Sequence, residues 1–188
     1  MEGREVGQFE RKRRFEDIYR AHYPALLGYV RRRTDSADDA ADVLAEAFMT
    51  AWRRLEDVPP DAEARLWLYG VARRVLANHH RDTGRRSALA LKLRAELVSC
   101  AEAAVEQDPS AVRTAFGRLS SADRELLGLV GWEGLTASEI AKVLGRPPSV
   151  VRLRLHRARK RLAKELDSAE LDLSAYGSRA VSLAKGES

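Results

Sequence analysis

The stretch TASEIAKVLGRPPSVVRLRLHRARKRL, residues 136–162, leaves its backbone few choices. Thr136 and Glu139 stand three apart, the spacing at which hydroxyl and carboxylate each satisfy a free amide of a first helical turn, so a helix begins there. Ile140, Ala141 and Leu144 give that helix an apolar face, and Gly145 directly after it is suited to the left-handed conformation that ends a helix. Pro148 fits the first turn of the next helix, where no amide partner is needed. Val151, Leu155, Ala158 and Leu162 then mark the inner face of a second, longer helix. Two helices joined so closely, with small Ala141 at the crossing, form a helix-turn-helix.

The rest of the chain agrees with a helical fold. Apolar residues recur at helical spacing through most of it, and no segment alternates with period two over a strand's length. An all-α protein is predicted. Phe15, Ile18, Tyr19, Tyr23, Leu26, Leu27 and Val30 mark a first helix that Pro24 should kink or split. Ser36 caps a second helix running to about Leu55, with Asp38 and Asp39 favourably placed at its positive end and Ala40, Val43, Leu44, Ala47, Phe48 and Ala51 as its buried stripe. VPPD at 58–61 breaks the chain and caps a third helix from about Ala62 to Arg81. Thr83–Ser87 reads as a turn, and Leu89, Leu93 and Leu97 permit a further amphipathic helix. A second domain opens near Ala111 with Val112, Ala115, Phe116 and Leu119, followed by a helix capped by Ser120 and carrying Leu126, Leu127 and Val130. The expectation is two small helical domains at 10–83 and 111–166, a partly helical linker at 84–110, and a mobile tail at 167–188.

Charge is segregated along this frame. The 33 Lys and Arg against 28 Asp and Glu leave a net +5, but acid gathers in residues 35–46 and base in 65–86 and 142–164. A single cysteine, Cys100, permits no internal disulfide and lacks the companions of a zinc site. The first residues contain no apolar signal core and no run is long enough to span a bilayer, so a cytoplasmic protein without membrane insertion is expected. No metal, cofactor or catalytic centre is expected. His79 and His80 are adjacent and point to different sides of a helix, unlike an i, i+4 metal-binding pair.

Between Ile140 and Lys164 stand nine Lys and Arg and no acid, the pattern of a surface shaped for a polyanion. The outer face of the longer helix carries Arg152, His156, Arg157, Arg159 and Lys160, with Ser149 in its exposed first turn. A recognition helix presents its N-terminal half to base edges while flanking cations hold phosphates. Arg152, His156 and Arg157 are therefore expected to read bases, and Arg146, Arg154, Arg161 and Lys164 to hold phosphates. Leu153 would touch a thymine methyl or face a partner. On the third helix Arg65, Tyr69, Arg73, Asn78, His80 and Arg81 combine cations with flat side chains, as single-stranded nucleic acid requires. Trp67 has two readings, a core residue beside Leu68 and Val71 or a participant in strand opening. Asp38, Asp42 and Glu46 form a stripe at i, i+4 and i+8 on the second helix.

The segment RLSSADRELLGLVGWEGLTASEIAKVLGRPPSVVRLRLHRARKRL resembles region 4 of bacterial RNA polymerase sigma factors, in particular the extracytoplasmic-function (ECF) group. FEDIYRAHYPALLGYVRRR, ADDAADVLAEAFMTAWRR and ARLWLYGVARRVLANHHR resemble region 2 of the same group, in the order that group uses. The resemblance implies a promoter-recognition subunit: region 4 on the minus-thirty-five duplex, region 2 on the opened minus-ten element, and the chemistry left to the polymerase. It implies docking on the polymerase β′ coiled coil through Asp38, Asp42 and Glu46, contact with the β flap, a base received by the loop 56–63, a monomer when free of partners, and an anti-sigma protein as inhibitor. The chain departs from the family pattern at Ala41, Ala45, Asn78 and Arg146-Pro147-Pro148. The competing expectation is a stand-alone helix-turn-helix regulator, which accounts for the basic helix but not for the acidic and aromatic helices before it.

Overall fold

The computed structural model describes the backbone of residues 2–97 and 111–167, with side chains over 7–81 and 114–166. The chain divides into two compact units, Met1–Ala103 and Ala104–Ser188. Among the described residues there is no strand.

The first unit holds α1 (Glu2–Arg31), α2 (Ala37–Arg53), a 3-10 turn at Leu55–Asp57 and α3 (Asp61–Leu97). Ser36 caps α2 by accepting the amide of Asp39, and the six apolar positions expected to be buried all are. Helix α1 differs from expectation, since it runs unbroken through Pro24. The reason is packing on either side of the proline, which is itself exposed. Before it, Phe15, Tyr19 and Tyr23 set their rings 6.4, 4.7 and 6.3 Å from that of Phe48 on α2. After it, Leu26, Tyr29 and Val30 are fully buried, and burial of side chains this size is worth about 1.5–3 kcal/mol each. Helix α3 also departs from expectation by continuing through Thr83–Ser87 to Leu97. Gly84 alone costs a helix only about 1 kcal/mol, and the stretch has no proline to stop it.

The second unit holds α4 (Ala111–Arg118), α5 (Ser121–Gly131), α6 (Ala137–Leu144) and α7 (Pro148–Asp167). The capping box of Thr136 and Glu139 is formed, and Gly145 takes the left-handed conformation at φ 60°. Ala115, Leu119, Leu127, Ala158, Leu162 and Leu166 make one core, with Phe116 against it. Val151 and Leu155 are buried with them, so every expected inner position of α7 is inside. Val112, the linker positions 98–110 and the tail beyond Asp167 lie outside the residues whose side chains are described.

Candidate nucleic-acid interface

Because α7 spends Val151, Leu155, Ala158 and Leu162 on the core, the residues between them are forced outward. Arg146, Ser149, Arg152, Leu153, Arg154, His156, Arg157 and Lys160 are all exposed, and Leu153 is 51% exposed, high for a leucine. The turn before α7 is held without a side-chain cap: the amide of Val151 bonds the carbonyl of Pro147 at 3.2 Å, and the amide of Arg146 bonds that of Ala141 at 3.0 Å. A rigid turn therefore presents the first half of α7 to solvent, as insertion into a groove requires. Arg157, Lys160, Arg161 and Lys164 line a shallow cationic depression farther along the helix.

Arg161 has a second role. Its Nη1 lies 3.0 and 2.8 Å from the two carboxylate oxygens of Asp123, a buried acid at the start of α5. The Ser120 hydroxyl also donates to Asp123 at 2.8 Å, while the Asp123 amide donates back to that hydroxyl. A charge inside the fold must be paired, so one nitrogen of Arg161 holds Asp123 while its side chain stays exposed on the cationic face. Nearby, Arg124 donates to the carbonyls of Gly117 and Leu119 at 2.8 and 2.6 Å, closing the end of α4. Sequence reasoning missed Asp123, although Ser120-x-x-Asp123 has the spacing of a cap followed by a carboxylate.

On α3 the expected strand-binding residues separate into two groups. Arg73, Asn78, His80 and Arg81 are exposed. Arg81 donates to the carbonyl of Ala77 at 3.1 Å and to the side chain of Asn78, while His80 Nε2 lies 3.0 Å from the carbonyl of Arg33. Tyr69, by contrast, is a correction: it is 2% exposed with its ring 5.0 Å from that of Tyr29, so it builds the core and offers no face for a base. Arg65, Tyr69, Ala72 and Leu76 fall at i, i+4, i+7 and i+11, an inner-face spacing readable in advance. Arg65 is half-buried, and after burial its charge is the second cause holding His22 below the ordinary histidine value. Trp67 is half-buried against Leu55, Val58 and Ala64, and the Arg54 guanidinium stands 5.8 Å from its ring.

Asp38, Asp42 and Glu46 are exposed along α2, and Glu46 meets Arg53 at 3.5 Å. Asp42 and Glu46 line a groove between α2 and α3 whose far wall is Val71, Arg74, Val75, Asn78 and His79. His79 Nε2 lies 3.0 Å from Asp39, so the two adjacent histidines engage separate partners. No cluster of three potential metal ligands occurs among the described residues.

Comparison with known proteins accounts for both units. The family model for Sigma-70 region 2 matches residues 18–86, and that for Sigma-70, region 4 matches residues 110–162. RNA polymerase sigma factor CarQ of Myxococcus xanthus is 31% identical, over 85% of this chain and 93% of its own length. ECF RNA polymerase sigma factor SigL of Mycobacterium tuberculosis is 28% identical, over 75% of this chain and 82% of its own. The structure of CnrH in complex with the cytosolic domain of CnrY superposes with a TM-score of 0.59 at 28% identity, covering 84% of this chain and 90% of that one. The presence of both regions in order and the share of each relative that is spanned exclude a stand-alone regulator, and the chain belongs to the extracytoplasmic-function group of bacterial RNA polymerase sigma factors, which direct core polymerase to promoters and assist their opening.

Proposed function

We propose that the two units divide promoter recognition between them. In the second, Arg152, His156 and Arg157 of α7 read bases of the minus-thirty-five duplex, Leu153 meets a thymine methyl, and Arg146, Ser149, Arg154 and Lys160 hold the register on the backbone. In the first, Arg65, Arg73, Asn78, His80 and Arg81 attract the opened minus-ten strand, Trp67 supports the crossing at 54–61, and the segment 56–63, whose last residues open α3, receives an unstacked base. Asp38, Asp42 and Glu46 dock on the β′ coiled coil of the polymerase. The domain limits that go with this division are 10–83 and 111–166.

The observation that carries the reading is on α7. Its inner positions are all committed to the core, and from Arg152 to Lys164 the exposed residues are cations, one histidine and one leucine, with no acid before Glu165. A merely solvated face has no need of a long stripe of cations without an acid among them. No helix among the described residues is long and apolar enough to cross a membrane, and a cytoplasmic place beside the polymerase is part of the proposal. So is an inhibitory anti-sigma partner, since CnrH is seen bound to the cytosolic domain of CnrY. The protein performs no chemistry of its own and leaves catalysis to the polymerase.

Gel filtration with core polymerase, followed by footprinting of the complex on promoter DNA, tests the division. The chain should co-elute with core, and Asp42→Arg combined with Glu46→Arg should abolish co-elution while free chain still protects minus-thirty-five DNA. Co-elution unaffected by the charge reversals would move the docking surface away from α2.

A further inference from the structure

We propose that the start of α1, residues 9–15, braces the loop at 54–61, and that Arg11 and Arg14 are positioning residues for the base this loop receives. The proposal rests on the reading that the loop receives a base. The segment precedes the Sigma-70 region 2 match, which begins at residue 18.

The brace grips both ends of the crossing from α2 to α3. Arg11 Nη2 donates to the carbonyl of Trp52 at 2.8 Å, and its guanidinium lies 5.2 Å from the Trp52 ring centroid. Trp52 lies in the last turn of α2, where carbonyls have no partner within the helix. Arg14 Nη2 donates to the carbonyl of Val58 at 2.9 Å, and its Nη1 lies 3.4 Å from Glu56. Val58 closes the 3-10 turn. Below these bonds Phe15 and Ile18 of α1 meet Trp67 of α3 on a small core of Leu55, Val58 and Ala64. Arg54 bonds Asp57 at 2.8 Å, fixing the turn from the other side.

The fixed points are therefore Trp52, Glu56 and Val58, and Pro60 and Asp61, where the loop enters α3, are exposed. The entry to α3 is nevertheless not slack, since Pro59 and Pro60 lock their own φ angles and Asp61 sits at φ 53°. A loop held in one shape before DNA arrives loses less entropy on capture and rejects bases that do not fit that shape. Arginine suits this task because its fork reaches a carbonyl and a carboxylate together, whereas lysine offers a single point.

The test uses the full chain assembled with core polymerase and fork-junction DNA probes in which each minus-ten base is varied in turn. Arg11→Ala with Arg14→Ala should reduce discrimination at one minus-ten position about fivefold, the size of a lost hydrogen bond, with core affinity held within about twofold. Arg14→Lys should fall between. Equal loss at every position, or loss that tracks weaker core binding, would reduce the arginines to general support of the domain and overturn the proposal, as would unchanged discrimination. Pro60→Gly, which loosens the entry to α3 without touching the brace, separates the two levels. If it also leaves every position unchanged, the base-receiving role of the loop fails and the brace with it; if it lowers discrimination where the arginine variants do not, the brace alone fails.

Discussion

Two arginines one turn apart on α7, Arg157 and Arg161, look alike in sequence and differ in what they are free to do. Both are exposed, but Arg161 also pairs with buried Asp123. Arg157→Ala should cost about 1–3 kcal/mol on promoter DNA and much less on scrambled DNA, as expected for a base contact. Equal weakening on both would make it a phosphate contact. Arg161→Met should loosen the fold, since a hydrogen bond to a charged group contributes about 1.5–3 kcal/mol. Hydrogen exchange of α5 and α7 amides should accelerate, while the salt dependence of DNA binding keeps its slope. A slope reduced by about 0.9, one released counterion, would show that Arg161 does reach the backbone. His22 gives a pH dependence of known sign. Burial first, and Arg65 second, lower its pKa in the fold below the ordinary 6.5, so the unfolded chain binds the proton more readily. Stability is therefore fully present above pH 6.5 and declines as pH falls below it. Urea midpoints at pH 7.5 and 5.5 should differ less for His22→Gln than for the parent chain; an equal difference would assign the effect elsewhere.

At the level of single helices, local signals were legible wherever they act within a turn or two. The Ser36 cap, the Thr136–Glu139 box, the left-handed Gly145 and the α2 stripe are all set by neighbours three or four residues away. What local reasoning misjudged depended on contacts distant in sequence. Pro24 signalled a break, yet aromatic packing of α1 on α2 outweighs it. Tyr69 is the exception, since its spacing with Ala72 and Leu76 already marked an inner face, and Tyr29, forty residues earlier, packs against it there. Asp123 and Arg161 are 38 positions apart and Arg14 and Val58 are 44, separations at which no periodicity speaks. If the proline is tolerated only because packing outweighs it, Pro24→Ala should stabilise the first unit by up to about 3 kcal/mol, measured by urea unfolding. A destabilised variant would mean that the proline shapes α1 in a way the fold depends on.

As a whole molecule, the chain is two helical units, each with its own core and its own surface chemistry. The first presents acids on α2 and cations on α3, and the second presents a basic helix with no acid before Glu165. Neither alone makes an initiation factor. A basic helix-turn-helix would bind DNA without bringing polymerase, and an acidic docking helix would bind polymerase without choosing a promoter. On the proposed division, joining them in one chain lets one recruitment event place the enzyme at a site chosen by two elements, so the selectivities multiply. Run-off transcription with purified core polymerase, on a promoter identified by genome-wide binding and on versions altered at minus-ten, at minus-thirty-five, or at both, measures this most directly. The account predicts transcripts only when the chain is added, reduced by either alteration and lost with both. Transcription that depends on one element alone, or binding to DNA without any stimulation of core enzyme, would contradict it.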